Sequence, residues 1–380
     1  MKIAFVTTQT LAGSTVVGRV LPLAKKLAGT HEVYMFVHES GVELPDEIKI
    51  ESIGKDPFIR TASGKKRLRG IALIGRMLLN AWQTLLALVH VQPDVAIIVK
   101  PLPQNVLAVW LWHLFNSKRR VILDVDDFEL TANDLASVYQ RATVHWAERS
   151  GASISSAIAT ATPFLEDHFR QLTAAKKHIE LLPTPLPLSI SRIVSDSSLH
   201  TLLYIGSVSR SSGHRVDLLP EILEYVRREI PNVTLTIAGS GDDIEGLKKQ
   251  FEAKGLTSAV TWLGRFSFNQ VPQILSETAV IIDPIDGSIV NRSKSSFRVA
   301  LAAAVGMPIV TSNIGIRPLL LPEHLHTRFF AQPGDATSYA KQVIDLLESP
   351  LSTQDGDSLL ARAGQNTPET MAQAYGKLLV

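Results

Sequence analysis

The 380 residues include no cysteine, so disulfides and thiolate-held metals are excluded, and the chain suits a reducing, cytoplasmic compartment. Aromatic residues are few, at 6%. Long apolar runs are also missing: the longest, Ala81 to Val91, is interrupted by Gln83 and His90 and falls short of the roughly 20 residues that a bilayer span needs. The opening MKIAFVTTQT lacks the apolar core and cleavage site of a signal peptide and reads as a first buried strand. Neither sign of charge dominates, with 38 Lys+Arg against 36 Asp+Glu. That balance argues against a nucleic-acid-coating protein, whose affinity would come from neutralising phosphates. What is present is a 45% apolar content, enough for sizeable cores.

A chain this long exceeds what one core normally organises, which predicts two domains. Short apolar runs alternate with helical periodicity: strands at Ile3 to Thr7, His31 to Val37, Asp94 to Val99, Val121 to Val125 and Ala157 to Thr160, with helices at Gly18 to Ala28, Asn105 to Phe115, Ala132 to Arg149 and Pro163 to Arg170. The rhythm lapses in LLPTPLPLSISRIVSDSSL, residues 181–199, where prolines and serines mark a junction. It restarts at Thr201 and continues through a helix at Ala336 to Leu347. The expected class is therefore α/β: two doubly wound, Rossmann-like parallel-sheet domains facing a cleft, residues 1–190 and 191–365, followed by a helix in 366–380 that could pack back on the first domain.

Four segments could carry chemistry. The loop Thr10 to Gly18, with Gly13, opens a helix whose amides could meet a phosphate or sugar hydroxyls; a plain strand-to-helix turn reads equally well. VILDVDDFEL brings Asp126, Asp127 and Glu129 to the end of a buried strand, to hydrogen-bond sugar hydroxyls, act as a general base or hold a divalent cation; the structural alternative is a capping Asp127 and a paired Asp124. YIGSVSRSSGHR carries Gly206, Arg210, His214 and Arg215, suited to a diphosphate or to a solvated loop. In NRSKSSFRVALAAAVGMPIVTSN, Ser295 or Ser296 can cap a helix whose first turn is flanked by Arg292, Lys294 and Arg298, an anion-site pattern. Residues 60–90 form a basic stretch leading into an apolar, Trp-containing helix, which suits either an anionic membrane surface or a core helix behind a basic loop.

In this order the segments resemble the family 4 (group 1) glycosyltransferases of GT-B architecture. The likeness is firmest after Thr201: YIGSVSRSSG resembles the donor loop, VTWLGRFSFNQVPQIL the base-cradling segment, and ALAAAVGMPIVTSNIG and FFAQPGDATSYAKQVIDLL the carboxyl-terminal pattern. The resemblance implies a retaining, hexosyltransferase-like transfer from a UDP- or GDP-sugar to a glycan, lipid-linked or other cell-surface acceptor, as in polysaccharide biosynthesis; the lack of cysteine and the 60–90 segment add the expectation of a cytoplasmic protein peripheral at the inner membrane face. It implies no metal and no further cofactor, and the charge balance points to no nucleic-acid partner. Donor contacts would fall at Gly13, Gly206, Arg210, Lys294 and Arg298, and base contacts at Gly264, Arg265 and Phe266. The family's usual loop cations are replaced by Ser207 and Ser212, its paired glutamates by Ser293 and Leu301, and its catalytic histidine by Asp126. Those departures keep two alternatives open: a sugar-nucleotide epimerase of similar fold, or a catalytically degenerate relative. A dehydrogenase is disfavoured, because no GxGxxG turn with a ribose-binding acid is present.

Overall fold

The computed structural model describes residues 1–7, 9–11, 13–38, 47–61, 64–115, 117–133, 135, 137–186, 191–193 and 199–379, with backbone alone for 58–61 and 64–67. Ala12 of the first loop, Asp134 and Ala136 of the helix expected from Ala132, and 187–190 and 194–198 of the junction lie outside the described residues. The chain divides into two units, Met1–Pro187 with Pro368–Val380, and Leu188–Thr367.

The first unit contains strands β1 (Lys2–Val6), β2 (Glu32–Val37), β3 (Ile48–Ser52), β4 (Phe58–Thr61), β5 (Gly64–Arg67), β6 (Val95–Val99), β7 (Arg120–Val125), β8 (Ala157–Thr160) and β9 (His178–Leu181). Its helices are α1 (Leu21–Ala28), entered through a wide π-type turn at Val16–Val20, then α2 (Gly70–Val91), α3 (Pro103–Phe115), α4 (Glu129–Ala132), α5 (Val138–Ile154) and α6 (Pro163–Leu172). Seven strands form one parallel sheet in the order β3-β2-β1-β6-β7-β8-β9, and β4 and β5 form a separate antiparallel hairpin.

The second unit has β10 (Thr201–Ile205), β11 (Thr234–Ala238), β12 (Val260–Gly264), β13 (Val280–Ile282) and β14 (Ile309–Val310), all parallel, in the order β12-β11-β10-β13-β14. Around them lie α7 (Leu219–Glu229), α8 (Ile244–Ala253), α9 (Val271–Ser276), α10 (Ile289–Ser293), α11 (Phe297–Val305), α12 (Arg317–Leu320), α13 (His326–Phe329), α14 (Ala336–Glu348) and α15 (Thr353–Gly364). In both units the strand order reverses its progression beside the first strand, between β1 and β6 and between β10 and β13, the place where such sheets bind ligands at their carboxyl ends.

Strands buried on both faces read as continuous apolar runs: VAIIV of β6 and VII of β13 are fully buried. On one face of the first sheet, Ala4, Val6, Ala96 and Ile98 pack with Leu85, Leu88, Val109 and Trp112; on the other, Ile3, Phe5, Ile97 and Val99 pack with Leu23 and Leu27. Edge strands such as β12, VTWLG, alternate in exposure. Strands β3 and β9, which the sequence reading omits, are short and polar because they lie at the two edges of that sheet. The helix expected from Ala132 starts instead at Val138, capped by Ser137, whose side chain accepts from Gln140 N. Ser296, rather than Ser295, caps α11, and Gly306 ends it. The apolar segment is longer than the sequence suggests: α2 is 22 residues, and by length and composition it is enough to cross a bilayer.

The last helix, α16 (Pro368–Leu379), returns to the first unit. Met371, Tyr375, Leu378 and Leu379 join the α1 face of the core. Tyr375 Oη donates to Asp124 Oδ2, and Asp124 Oδ1 accepts from Arg19 Nε at 2.7 Å, all three side chains being buried. Arg19 Nη1 also donates to Leu182 O at 2.7 Å, so one guanidinium ties the π-type turn before α1, β7, the segment after β9 and, through Asp124, α16. Tyr375→Phe is expected to lower the stability of the first unit by about 1–3 kcal/mol, because it strips a donor from a buried carboxylate. Removing Lys26, whose 2.5 Å pair with Glu369 is exposed, should change it by about 0–1 kcal/mol. Hydrogen exchange in β1 against denaturant measures both.

Candidate active site

In the second unit the carboxyl ends of β10, β11, β12 and β13 gather the glycine turns. Gly206 follows β10 at φ +129° and Gly239 follows β11 at φ +158°. The two turns touch backbone to backbone: Gly206 N donates to Ala238 O at 2.8 Å and Val208 N to Ser240 O at 3.1 Å. A Cβ on Gly239 would sit 1.7 Å from Gly206 O, so a side chain there is sterically barred.

Immediately after β13 stands Asp283, fully buried. Its carboxylate accepts from Arg298 Nε at 2.7 Å, Arg317 Nε at 2.8 Å and Thr311 Oγ1 at 2.9 Å. Burial alone would raise its pKa, but the two guanidiniums outweigh it and hold the carboxyl well below the usual range. Arg298 also donates from Nη1 to Ile205 O at 3.0 Å and faces His214 Nδ1 from Nη2 at 2.7 Å. Burial and the neighbouring Arg298 push His214 down to about 3, so the ring is neutral near pH 7. A guanidinium has no acceptor, hence Nδ1 is the lone-pair nitrogen and Nε2 carries the proton.

These contacts correct one expectation. Arg298, foreseen as a diphosphate ligand, is buried with Nε and both Nη atoms already engaged; it is a strut between the ends of β10 and β13. Lys294, half-buried, remains at the loop surface with Nζ 3.4 Å from Ser212 O, which puts it beside the turn that holds Arg210. Arg210 is anchored through its backbone N to Asp243 Oδ2 at 2.6 Å, and its side chain is exposed. At the end of β12, Gly264 adopts φ +66° and Arg265 Nε reaches Ser240 Oγ at 3.2 Å, with Phe266 half-buried beside them. Gly206, Arg210, Lys294 and the 264–266 segment thus share the carboxyl side of one sheet. Gly13 belongs to the other unit.

There, Thr15 Oγ1 donates to Asp126 Oδ2 at 2.8 Å, joining the Gly13 loop to the end of β7. Lys100 Nζ lies 3.2 Å from Asp126 Oδ1, 2.5 Å from Asp127 Oδ2 and 3.3 Å from Glu129 Oε1. It follows the apolar β6 at φ +65°, a conformation costing a non-glycine residue about 1–3 kcal/mol. Against the burial that would lower it, Asp126, Glu129 and Asp127 hold the ammonium well above its ordinary pKa. Burial, opposed by Lys100, raises Glu129 to about 7 and raises Asp126 as well. Carboxylate oxygens of the three acids lie within 4.8 Å of one another, close enough to hold a divalent cation; the Lys100 ammonium supplies them with a counter-charge. Side-chain exposure ranks them: 23% for Asp127, 12% for Asp126 and 2% for Glu129, so Asp126 and Asp127 can meet a ligand and Glu129 lies behind them.

Residues 200–349 match the family model described as Glycosyl transferases group 1. Over that stretch the chain is similar to the group 1 glycosyltransferases. Glycogen synthase of Mycobacterium tuberculosis (strain H37Rv) is 30% identical over 159 residues, 40% of this chain, and the chain spans about a third (35%) of that relative's length. Among solved structures, sucrose-phosphate synthase from Thermosynechococcus elongatus superposes with a TM-score of 0.76 at 16% identity, covering 99% of this chain and 98% of its own. HepE of Anabaena, solved in complex with UDP and glucose, gives 0.70 at 14% identity over 100% and 98%. The fold is that of the GT-B glycosyltransferases.

Within the second unit the residues that the sequence reading missed are Asp283 and Arg317, and in the first unit Lys100 and Arg19. Two of them share a legible signal. AIIVK-P and VIID-P each end a wholly apolar strand on a charge followed by proline, and a charge placed there must be paired or bind something. Ser293 and Leu301, where the family's glutamates would stand, are both buried.

Glu129 yields a pH prediction. Its carboxyl titrates higher folded than unfolded, so the folded state favours the proton and stability falls as pH climbs from the ordinary carboxylate range to about 7, then levels. Glu129→Gln should flatten that decline and leave the first unit more stable than the parent at pH 8, by on the order of 2–3 kcal/mol. Denaturation of both proteins across this pH range checks it.

Proposed function

We propose that this chain is a glycosyltransferase that carries a hexosyl group from a UDP- or GDP-sugar to a glycan, lipid-linked or other cell-surface acceptor, working in the cytoplasm without a further cofactor. The observation that carries the reading is that the group 1 match, residues 200–349, spans the apposed Gly206 and Gly239 turns and Lys294. The UDP and glucose bound in the HepE structure support a uridine donor. On this reading the base rests near Gly264, Arg265 and Phe266. The diphosphate meets Lys294, Arg210, amides of the 206–213 turn and the Nε2–H of His214, all charge-complementary or charge-assisted donors. Arg298 is a positioning residue, holding His214 and the Gly206 turn from behind.

In the first unit the role assigned to Asp126 is to accept the proton of the acceptor hydroxyl as its oxygen bonds to C1 of the sugar, while the bond from C1 to the phosphate oxygen breaks and nucleoside diphosphate departs. Asp127 supports the hydroxyl. Burial raises the Asp126 carboxyl, and the Lys100 ammonium beside it opposes that rise. The group 1 likeness supports retention at the anomeric carbon, and proton NMR of the product distinguishes it from the inversion that a carboxylate base would also serve.

Calorimetric titration with UDP and with GDP, with and without magnesium, is the first test. Saturable binding of one nucleotide and slow release of sugar from its sugar nucleotide are expected; binding of neither would sink the proposal, and interconversion of sugar nucleotides would replace it with an epimerase. Lys294→Ala should weaken nucleotide binding about tenfold or more, since a charged hydrogen bond contributes about 1.5–3 kcal/mol. Asp126→Asn should abolish transfer while nucleotide affinity stays unchanged; full activity in that variant would remove Asp126 from the mechanism.

A further inference from the structure

The outward side of α2 is apolar. Ile71, Ile74, Leu78, Trp82, Leu86 and Val89 follow one another at spacings of three and four, and each is exposed, Ile71 at 89% and Trp82 at 57%. The adjoining side of the same helix, with Ala81, Leu85 and Leu88, is built into the core of the first sheet. At the end of α3, the helix packed beside it, Leu114 and Phe115 are exposed as well. An apolar stripe of this extent, turned to water, marks an interaction surface.

The surrounding charge selects the partner. From Pro57 to Pro93 the chain has no aspartate or glutamate, while it carries Arg60, Lys65, Lys66, Arg67, Arg69 and Arg76. Elsewhere acids outnumber bases, since the whole chain is only +2. We propose that α2 seats the first unit on an anionic membrane surface, the apolar stripe entering the boundary between headgroups and acyl chains, Arg69 and Arg76 meeting lipid phosphates, and the net positive charge of the preceding sequence adding attraction. A second copy of this chain is the poorer partner, because pairing stripe to stripe would bring two cationic segments together. Spanning the bilayer is also disfavoured, because it would withdraw Leu85 and Leu88 from the sheet core. The helix lies along the membrane rather than across it.

The test is sedimentation of the full chain with vesicles of phosphatidylcholine alone and of phosphatidylcholine mixed with phosphatidylglycerol. It needs no donor and no transfer, so its failure is separate from a failure of the glycosyltransferase reading. Binding to the mixed vesicles alone, weakened by salt, is expected. The triple change Ile74→Ser, Leu78→Ser and Trp82→Ser, at exposed positions, should lower the bound fraction roughly tenfold or more. Arg69→Glu with Arg76→Glu should remove the preference for phosphatidylglycerol. Equal binding to neutral vesicles, full binding by the triple variant, or a parent dimer that the triple variant dissolves while neither protein binds vesicles would each overturn the proposal.

Discussion

The buried carboxylate of Asp283, held between the guanidiniums of Arg298 and Arg317, is the contact on which the second unit's site depends. A parallel sheet covered on both faces has apolar strands, so its polar groups collect at the carboxyl ends, where burial makes an unpaired charge cost several kcal/mol. Two cations around one anion meet that requirement and leave a net positive charge beneath the glycine turns. Arg298 reaches Ile205 O at the end of β10 as well as Asp283 beyond β13. It therefore spans the point where the strand order reverses, and from there it sets the tautomer of His214. A residue that never faces solvent decides which hydrogen the loop can offer to a ligand.

The first unit solves the same problem with different chemistry. Along β7 and just past it, Asp124 and Asp126 are two residues apart and go to different uses. Asp124 is fully engaged by Arg19 and Tyr375, which binds the terminal helix to the sheet. Asp126 is held by Thr15 and the nearby Lys100, and it stays partly exposed. One carboxylate is structural and the other is available. The left-handed backbone of Lys100 fits this picture, because strain of that kind persists only where the surroundings hold it, and here three acids surround its ammonium. Helix α2 shows a third arrangement: one side completes the core while the other stays apolar and unpaired in a segment with no acid.

Much of this was legible from residue order. The parallel-sheet strands of both units, the two glycine turns, the acidic end of β7 and the cap near Ser296 all follow from local rules, in which period, turn chemistry and apolar runs act over a few residues. The misreadings have a physical pattern. Strands β3 and β9 escape detection because edge strands carry polar residues, and α15 because it buries little beyond Gly356 and Leu359. The start of α5 moves to Val138 because the Ser137 cap outweighs the helical periodicity upstream.

The sequence by itself determined that the chain forms two α/β units, that glycine turns follow β10 and β11, and that the stretch from Pro57 to Pro93 is basic, since each is a property of neighbouring residues. Only the tertiary structure decided that Arg298 turns inward to Asp283 while Lys294 remains at the surface, and that Lys100 joins Asp127 across 27 residues of chain and Asp126 and Glu129 beside it. The reason is that the direction of a charged side chain depends on which counter-charge the packed sheet brings within about 3 Å, and no local pattern carries that distance.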